Sequence, residues 1–248
     1  MKWIADLHTH TVASGHGFST LEEMAAGAKR NGIRYLGTTE HGPFLPGGPH
    51  LYYFYNLRVI PEFINEVRIL KGAECNVVEQ NGKVDLPLEL LFPLDLAWVG
   101  FHLYQDPVWT KEENTKAAVA ALQNPLIDGI VHPGNPEFPM DHRRVLEEAK
   151  KQKKLIELNN ASLMCRAGSF ENCLAIARMA KELDLQVMVN SDAHISFDVG
   201  RHDRTAVLVS EAGLTEDNII NVSEERLQRF LQTRRKEKDK WREENEEN

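Results

Sequence analysis

Imidazole and carboxylate groups recur along this chain at the ends of short apolar runs. The chain opens with Asp6-Leu7-His8-Thr9-His10, with His16 close behind, and much later reads Ser191-Asp192-Ala193-His194. Between these ends lie Glu40-His41, Glu74, His102 and His132. Such ligands suit zinc, manganese and iron. Asp6, His8 and His10 alternate with period two, so an extended segment points all three to one face. The same spacing sets Asp192 beside His194. Gathered at one place, these groups form a multinuclear metal centre, and the chemistry to expect is hydrolysis. Zinc lowers the pKa of bound water to roughly 7, and paired metals hold and neutralise the oxygens of a phosphoryl group.

The ligands need a scaffold that brings distant segments together. Strands are predicted at Trp3 to Leu7, Tyr35 to Thr39, Leu70 to Val77, Leu96 to Phe101, Gly129 to Val131, Leu155 to Leu158 and Gln186 to Asn190. Helices are predicted from the capping box at Thr20-Leu21-Glu22-Glu23 to Gly32, and at Val59 to Val67, Lys111 to Leu122, Asp141 to Gln152 and Phe170 to Leu183. Strands alternating with helices indicate a parallel sheet. Metal-type residues follow or lie within six of the seven strands. A β/α barrel gathers its site from the C-terminal ends of many strands. An open doubly wound sheet concentrates ligands at one switch point, which fits this distribution less well.

With 248 residues, 42% of them apolar, the chain suits one large domain, taken as residues 1–233, with a charged, solvated, fraying tail at 234–248. No apolar run approaches a membrane span, and Asp6 interrupts any signal-peptide core, so a cytoplasmic location is expected. Cys75, Cys165 and Cys173 form no CxxC pair, which fits a reducing compartment. Cys75 adjoins Glu74, and alternation turns it into the packing on the other face of the strand. The net charge of −8 argues against a basic nucleic-acid surface. It leaves room for an anionic substrate, because divalent metals add positive charge where a phosphate would sit.

The ordered pattern of the Asp6–His10 motif, His16, Glu40-His41, Gly72-Ala73-Glu74, His102, His132 and the Ser191–His194 motif resembles the PHP family, named for polymerase and histidinol phosphatase. The compact length and the Asp198-Val199-Gly200 continuation are similar to its YcdX-like phosphatase branch. An HxH element alone is a weak signal; nine ligand-type positions in order, spanning most of the chain, are a strong one. The resemblance implies a distorted (β/α)7 TIM-like barrel with a trinuclear centre of divalent ions, usually Zn2+, with Mn2+ or Fe2+ as variants. Carried over position by position, His8, His10, Glu74 and Asp192 would hold one metal, and His16, His41 and His194 a second. Glu74, His102 and His132 would hold a third, with Glu74 bridging. Asp192, His194 and Glu74 are the catalytic candidates, acting around a metal-bound hydroxide. Asp6 and Glu40 are expected to fix imidazole tautomers, with a structural cap as the alternative for Asp6.

Arg166 and Arg201 are candidates to clamp a phosphate, with Arg204 behind them and surface salt bridges as the alternative for each. The loop 42–57, rich in Pro, Gly and aromatics, is either a lid or a packed surface loop. Its Tyr52 to Tyr55 run could stack on a base or pack the loop down. His50 could approach substrate from this loop; His142 and His202 read as surface residues. Asn159 and Asn190 end strands and could bond within the site or satisfy backbone. The leading function is hydrolysis of small phosphomonoesters, with a small phosphorylated substrate as partner and a homo-oligomer possible. The alternatives are a phosphodiesterase or exonuclease, an amide-cleaving metal barrel, and a metal-stabilised binding module.

Overall fold

A computed structural model describes residues 1–102 and 108–246. In chain order the elements are β1 (Ala5–Thr9), α1 (Leu21–Arg30), β2 (Tyr35–His41), α2 (Leu51–Asn56), β3 (Phe63–Ile64), β4 (Val67–Asn76), α3 (Leu88–Leu91), β5 (Leu96–Gly100), α4 (Lys111–Gln123), β6 (Gly129–Ile130), α5 (His142–Lys151), β7 (Leu155–Asn159), α6 (Ser162–Cys165), α7 (Ser169–Glu182), β8 (Val187–Asn190), α8 (Asp203–Ala212) and α9 (Glu224–Glu246). The sheet runs β1-β2-β4-β5-β6-β7-β8 in parallel, and β3 pairs antiparallel with β4. Every residue of β1, β2, β5, β7 and β8 is buried, as befits strands covered on both faces.

The curled sheet nearly closes into a barrel of distorted TIM type. Between β8 and β1 a regular ladder is missing, and amide side chains stitch the seam. Asn190 Oδ1 accepts from the Leu7 N–H at 2.9 Å. Asn221 donates to the Ala5 carbonyl at 3.1 Å and accepts from the Val189 N–H at 2.8 Å. Beyond the strand tips, His10 N–H reaches the Ala193 carbonyl at 2.9 Å, drawing the first and last motifs together.

Two predicted elements come out differently. Val59 to Val67 is no helix: its apolar residues recur at helical spacing, but Pro61 interrupts the run and Asn65-Glu66 turn the chain back. Both turn residues take positive φ (52° and 67°), closing a two-residue hairpin between β3 and β4. The helical segment lies upstream, as α2 inside the 42–57 loop, with His50 accepting from the Tyr52 N–H as its cap. The C-terminal segment is not a solvated extension at its start. α9 runs unbroken through residue 234, and Leu227, Phe230, Leu231, Arg234, Lys238 and Trp241 share its inner face at helical spacing. Arg234 and Lys238 are 3% and 1% exposed and pair with Asp128, each at 2.8 Å. The expectation failed because charge was counted without asking which face carried it. Cys75 points into the apolar core, as alternation requires.

Candidate metal centre

The nine ligand-type residues lie at or just beyond the C-terminal ends of the strands, as parallel β/α architecture dictates. His8 comes from β1 with His10 and His16 just beyond it, His41 from β2 and Glu74 from β4. His102, His132, Asp192 and His194 follow β5, β6 and β8. His8, His10 and Glu74 form a fully buried floor; His194 and His16 stand at the solvent-facing mouth.

Glu74 is the hub. Its Oε1 lies 2.6 Å from His132 Nε2 and 3.2 Å from His102 Nε2. Its Oε2 lies 2.6 Å from His41 Nδ1 and 3.4 Å from Nε2 of both His8 and His10. Asp192 Oδ1 stands 3.2 Å from His10 Nε2 and 3.7 Å from His8 Nε2. His16 and His194 meet Nε2 to Nε2 at 2.9 Å. Burial alone would raise the Glu74 carboxyl, but His41, His102 and His8 hold it well below the usual range. Burial likewise pushes the His8 imidazole down, and Glu157, Asp192 and Glu74 overcome it, raising it well above its usual value. His10, buried beside His41 and His194, is pushed well down.

Outer partners fix which nitrogen faces inward for four of the imidazoles. His8 Nδ1 bonds Glu157 Oε1 at 2.8 Å. Ser14 gives its proton to Glu40 at 2.6 Å, so His10 Nδ1 donates to Ser14 Oγ at 3.1 Å. His102 Nδ1 donates to Asn76 Oδ1 at 2.6 Å, and Asp85 holds that amide in place at 2.6 Å. His194 Nδ1 donates to the Asp192 carbonyl at 3.0 Å. Glu40 therefore acts as expected, though through a serine. Asp6 does not touch an imidazole. It accepts from Ser191 Oγ, from the Ser191 N–H at 3.1 Å and from the Gly200 N–H at 2.8 Å. Its role is the cap of the turn that holds Asp192, whose φ of 57° no ordinary strand end would adopt. Burial pushes the Asp6 carboxyl up to about 6 against those bonds.

Sequence reasoning missed Glu157, Ser14, Asn76, Asp85 and Gly100. The signal for Glu157 was a single charge inside the apolar strand Leu155-Ile156-Glu157-Leu158. At Gly100 a Cβ would stand 2.8 Å from Glu74 Oε1 and 3.0 Å from the His132 ring, so a bare backbone keeps the space between ligands open. Asn159 donates to Asp192 Oδ2 at 3.1 Å and to Glu157 at 3.0 Å, and Asn190 donates to Glu157 at 2.9 Å; both serve the site.

The donors fit a set of bound cations. With Nδ1 of His8 and His10 both donating outward, their Nε2 lone pairs face each other at 3.0 Å. That contact is repulsive unless a cation, proton or metal, stands between. His41 Nδ1 and Glu74 Oε2 are buried and close, yet neither makes a hydrogen bond among the described residues. Two ligands on one tetrahedral zinc at about 2.0–2.1 Å sit about 3.3 Å apart, near the separations seen here. Three overlapping triads bring their ligand atoms within 4.8 Å: His8-His10-Glu74, His10-His41-His194 and His41-Glu74-His102.

A cavity of about 370 Å3 opens over the cluster. Arg166 lines it and donates to Ser162 Oγ at 2.6 Å; burial first, and then the Arg166 charge, lower the His132 imidazole. Leu45 and Pro46 bring the 42–57 loop to the cavity wall, while Phe54 and Leu57 are buried in the core. Tyr52 and Tyr55 are exposed and absent from the lining, so they do not form a stacking platform there. Arg201 lies outside the cavity lining, held by Asp198 at 3.2 Å and Asp203 at 3.1 Å. Arg204, 65% exposed, also stays outside. His50 caps α2, and His142 donates to the Pro133 carbonyl at 3.2 Å. His202 is no surface residue: it is 5% exposed, with neither ring nitrogen hydrogen-bonded among the described residues.

The PHP domain matches residues 6–195. A probable phosphatase of Acetivibrio thermocellus is 46% identical over 238 residues, covering 96% of this chain and 98% of that protein. One from Caldanaerobacter subterraneus subsp. tengcongensis is 47% identical over 238 residues, covering 95% and 94%. Among solved structures, histidinol phosphate phosphatase from Lactococcus lactis, complexed with zinc, L-histidinol and phosphate, superposes with a TM-score of 0.64. It is 17% identical, with 86% of this chain and 95% of that one covered, and shows a shared fold.

Proposed function

We propose a function from one premise: the chain belongs to the PHP domain family. It is a metal-dependent phosphatase, and its substrate is a small phosphomonoester. The observation that carries this reading is Glu74. Its two oxygens face separate imidazole sets, His102 and His132 on one side and His8, His10 and His41 on the other. A carboxylate so placed would hold a metal on each side, and with Asp192, His16 and His194 as the remaining donors the set would suit a trinuclear zinc-type centre.

Bound divalent ions supply Lewis acidity toward phosphate oxygens and an acidified water at neutral pH. The residues do the rest. Arg166 binds phosphate oxygens from the cavity wall with the donors its bond to Ser162 leaves over. Asp192 is aimed by Asn159 and by its capped turn, so one oxygen stays turned to the buried floor. His194, 28% exposed, would hold a metal at the mouth of the cavity through Nε2, its Nδ1–H fixed on the Asp192 carbonyl. The wall formed by Phe101, Phe138, Leu45 and Pro46 excludes water from one side of the substrate.

The test is hydrolysis of a phosphomonoester and its matching diester by zinc- or manganese-loaded protein, with a chelator-treated control. Chelator-sensitive turnover favouring the monoester is expected. Preference for the diester would transfer the site to phosphodiester cleavage. Turnover indifferent to chelation would remove the metal centre from the reaction.

A further inference from the structure

The barrel face opposite the metal centre holds another cavity, of about 400 Å3, at the N-terminal ends of β7 and β8. Leu155 and Gln186 mark those strand starts, and α9 forms the third wall. Six cations line it: Lys150, Lys153, Lys154, Arg226, Arg229 and Arg234. Two carboxylates, Asp184 and Glu225, oppose them. In a chain with net charge −8, this is a local reversal of sign.

Protein groups account for part of that charge. Lys150 donates to the Leu183 carbonyl at 2.5 Å, as cations near helix C-termini do. Arg226 pairs with Asp217 at 3.2 Å, and Arg229 with Glu225 at 2.9 Å on an exposed surface. Lys153 has no partner among the described residues. At the cavity floor the balance is positive. Buried Lys154 donates to the Asn124 and Ile127 carbonyls, and buried Arg234 pairs with Asp128 and the half-exposed Glu237; Lys238, behind the lining, takes the other Asp128 oxygen. Burial and the charge of Arg234 bring the Lys154 ammonium down to about 7. Even with Lys154 partly neutral, the six lining cations and Lys238 outnumber the five acids around them, Asp128, Asp184, Asp217, Glu225 and Glu237, so the hollow stays net positive.

We propose that this cavity binds a small phosphate-bearing anion at a site separate from the metal centre. Guanidinium and ammonium groups around a half-open hollow match phosphate oxygens in charge and can supply donors to them. An anion there offsets the floor's surplus charge and gives Lys153 a partner.

The test uses the full chain, stripped of metal with a chelator, at low salt, titrated calorimetrically with inorganic pyrophosphate. Lysine acylation read by mass spectrometry follows in parallel. Saturable binding is expected, weakened about tenfold by the double variant Lys153→Ala/Arg229→Ala and unchanged by Arg166→Ala. Pyrophosphate should shield Lys153 from acylation. Three results would overturn the proposal: no saturable binding, an affinity indifferent to the double variant, or binding lost only with Arg166→Ala. Both residues of the double variant are exposed. Should it nonetheless fail to fold, the acylation pattern of the unmutated chain decides: shielding of Lys153 sustains the site and unaltered labelling rejects it.

Discussion

Replacing Glu157 by Gln changes almost no volume and should loosen the metal centre. Glu157 is fully buried and accepts four hydrogen bonds. Oε1 takes His8 Nδ1 at 2.8 Å and Asn190 at 2.9 Å; Oε2 takes the His132 N–H at 2.7 Å and Asn159 at 3.0 Å. Glutamine keeps one acceptor and puts an amino group at the other position. If the amino group faces His132, a backbone N–H loses its acceptor at a residue already held at a φ of 36°. If it faces His8, that ring must accept at Nδ1 and carry its proton on Nε2, the nitrogen that faces Glu74 and His10. Each unmet buried donor costs about 1–3 kcal/mol. Loss of such an outer partner typically lowers metal affinity about 10–100-fold. Competition with a chromophoric chelator and ion counting by mass spectrometry read this directly, with thermal melts of the metal-free protein alongside. An affinity within about twofold of the parent and an unchanged melt would refute the reasoning. The imidazole tautomers would then be set by something other than this carboxylate.

Two further outcomes follow from buried charge. Asp128→Asn leaves Arg234 and Lys238 without their buried carboxylate and should cost about 3–5 kcal/mol in urea unfolding, against an unchanged curve if the pair is incidental. His202→Leu should flatten the acid limb of stability. Burial, only partly offset by Asp203, lowers this imidazole from 6.5 to about 4. As pH falls below 6.5 the unfolded chain takes up a proton that the fold refuses, so stability drops through pH 4 by about 3 kcal/mol. Denaturant midpoints of the two metal-free proteins across that window check this, and parallel pH profiles would discard it.

What could be read in advance depended on where a residue's partners lay along the chain. The gathering of nine ligand-type residues was readable because most sit at or just beyond a strand end, and parallel β/α architecture sends strand ends to one face whatever their sequence separation. Tautomer control was readable only where motif position suggested it, as for Glu40. Glu157 pairs with His8 across 149 residues, and Asn76 with His102 across 26. No local spacing announces such pairs, although one charge inside an apolar strand is itself a demand for a buried partner. Asp6 shows the converse. Its alternation with His8 and His10 was correct, yet a shared face does not make a shared partner, and its bonds run to Ser191 and Gly200. For Arg201 the competing partners were in plain view: Asp198 and Asp203 flank it in sequence, and its guanidinium bonds both in the fold.

The C-terminal segment carries the same point to the scale of the fold. Counted as composition, residues from Arg234 onward are a solvated run of charge. Counted by helical position, Arg234 and Lys238 fall on the stripe that Leu227, Phe230 and Leu231 begin, and a cation on that stripe must be buried. A cation buried among carbonyl groups needs a carboxylate, and Asp128, immediately before β6, is the one that the barrel presents. α9 is therefore tied to the start of the strand whose far end leads into His132. The periodicity test that found the strands would have placed this helix, had it been applied to polar residues as strictly as to apolar ones.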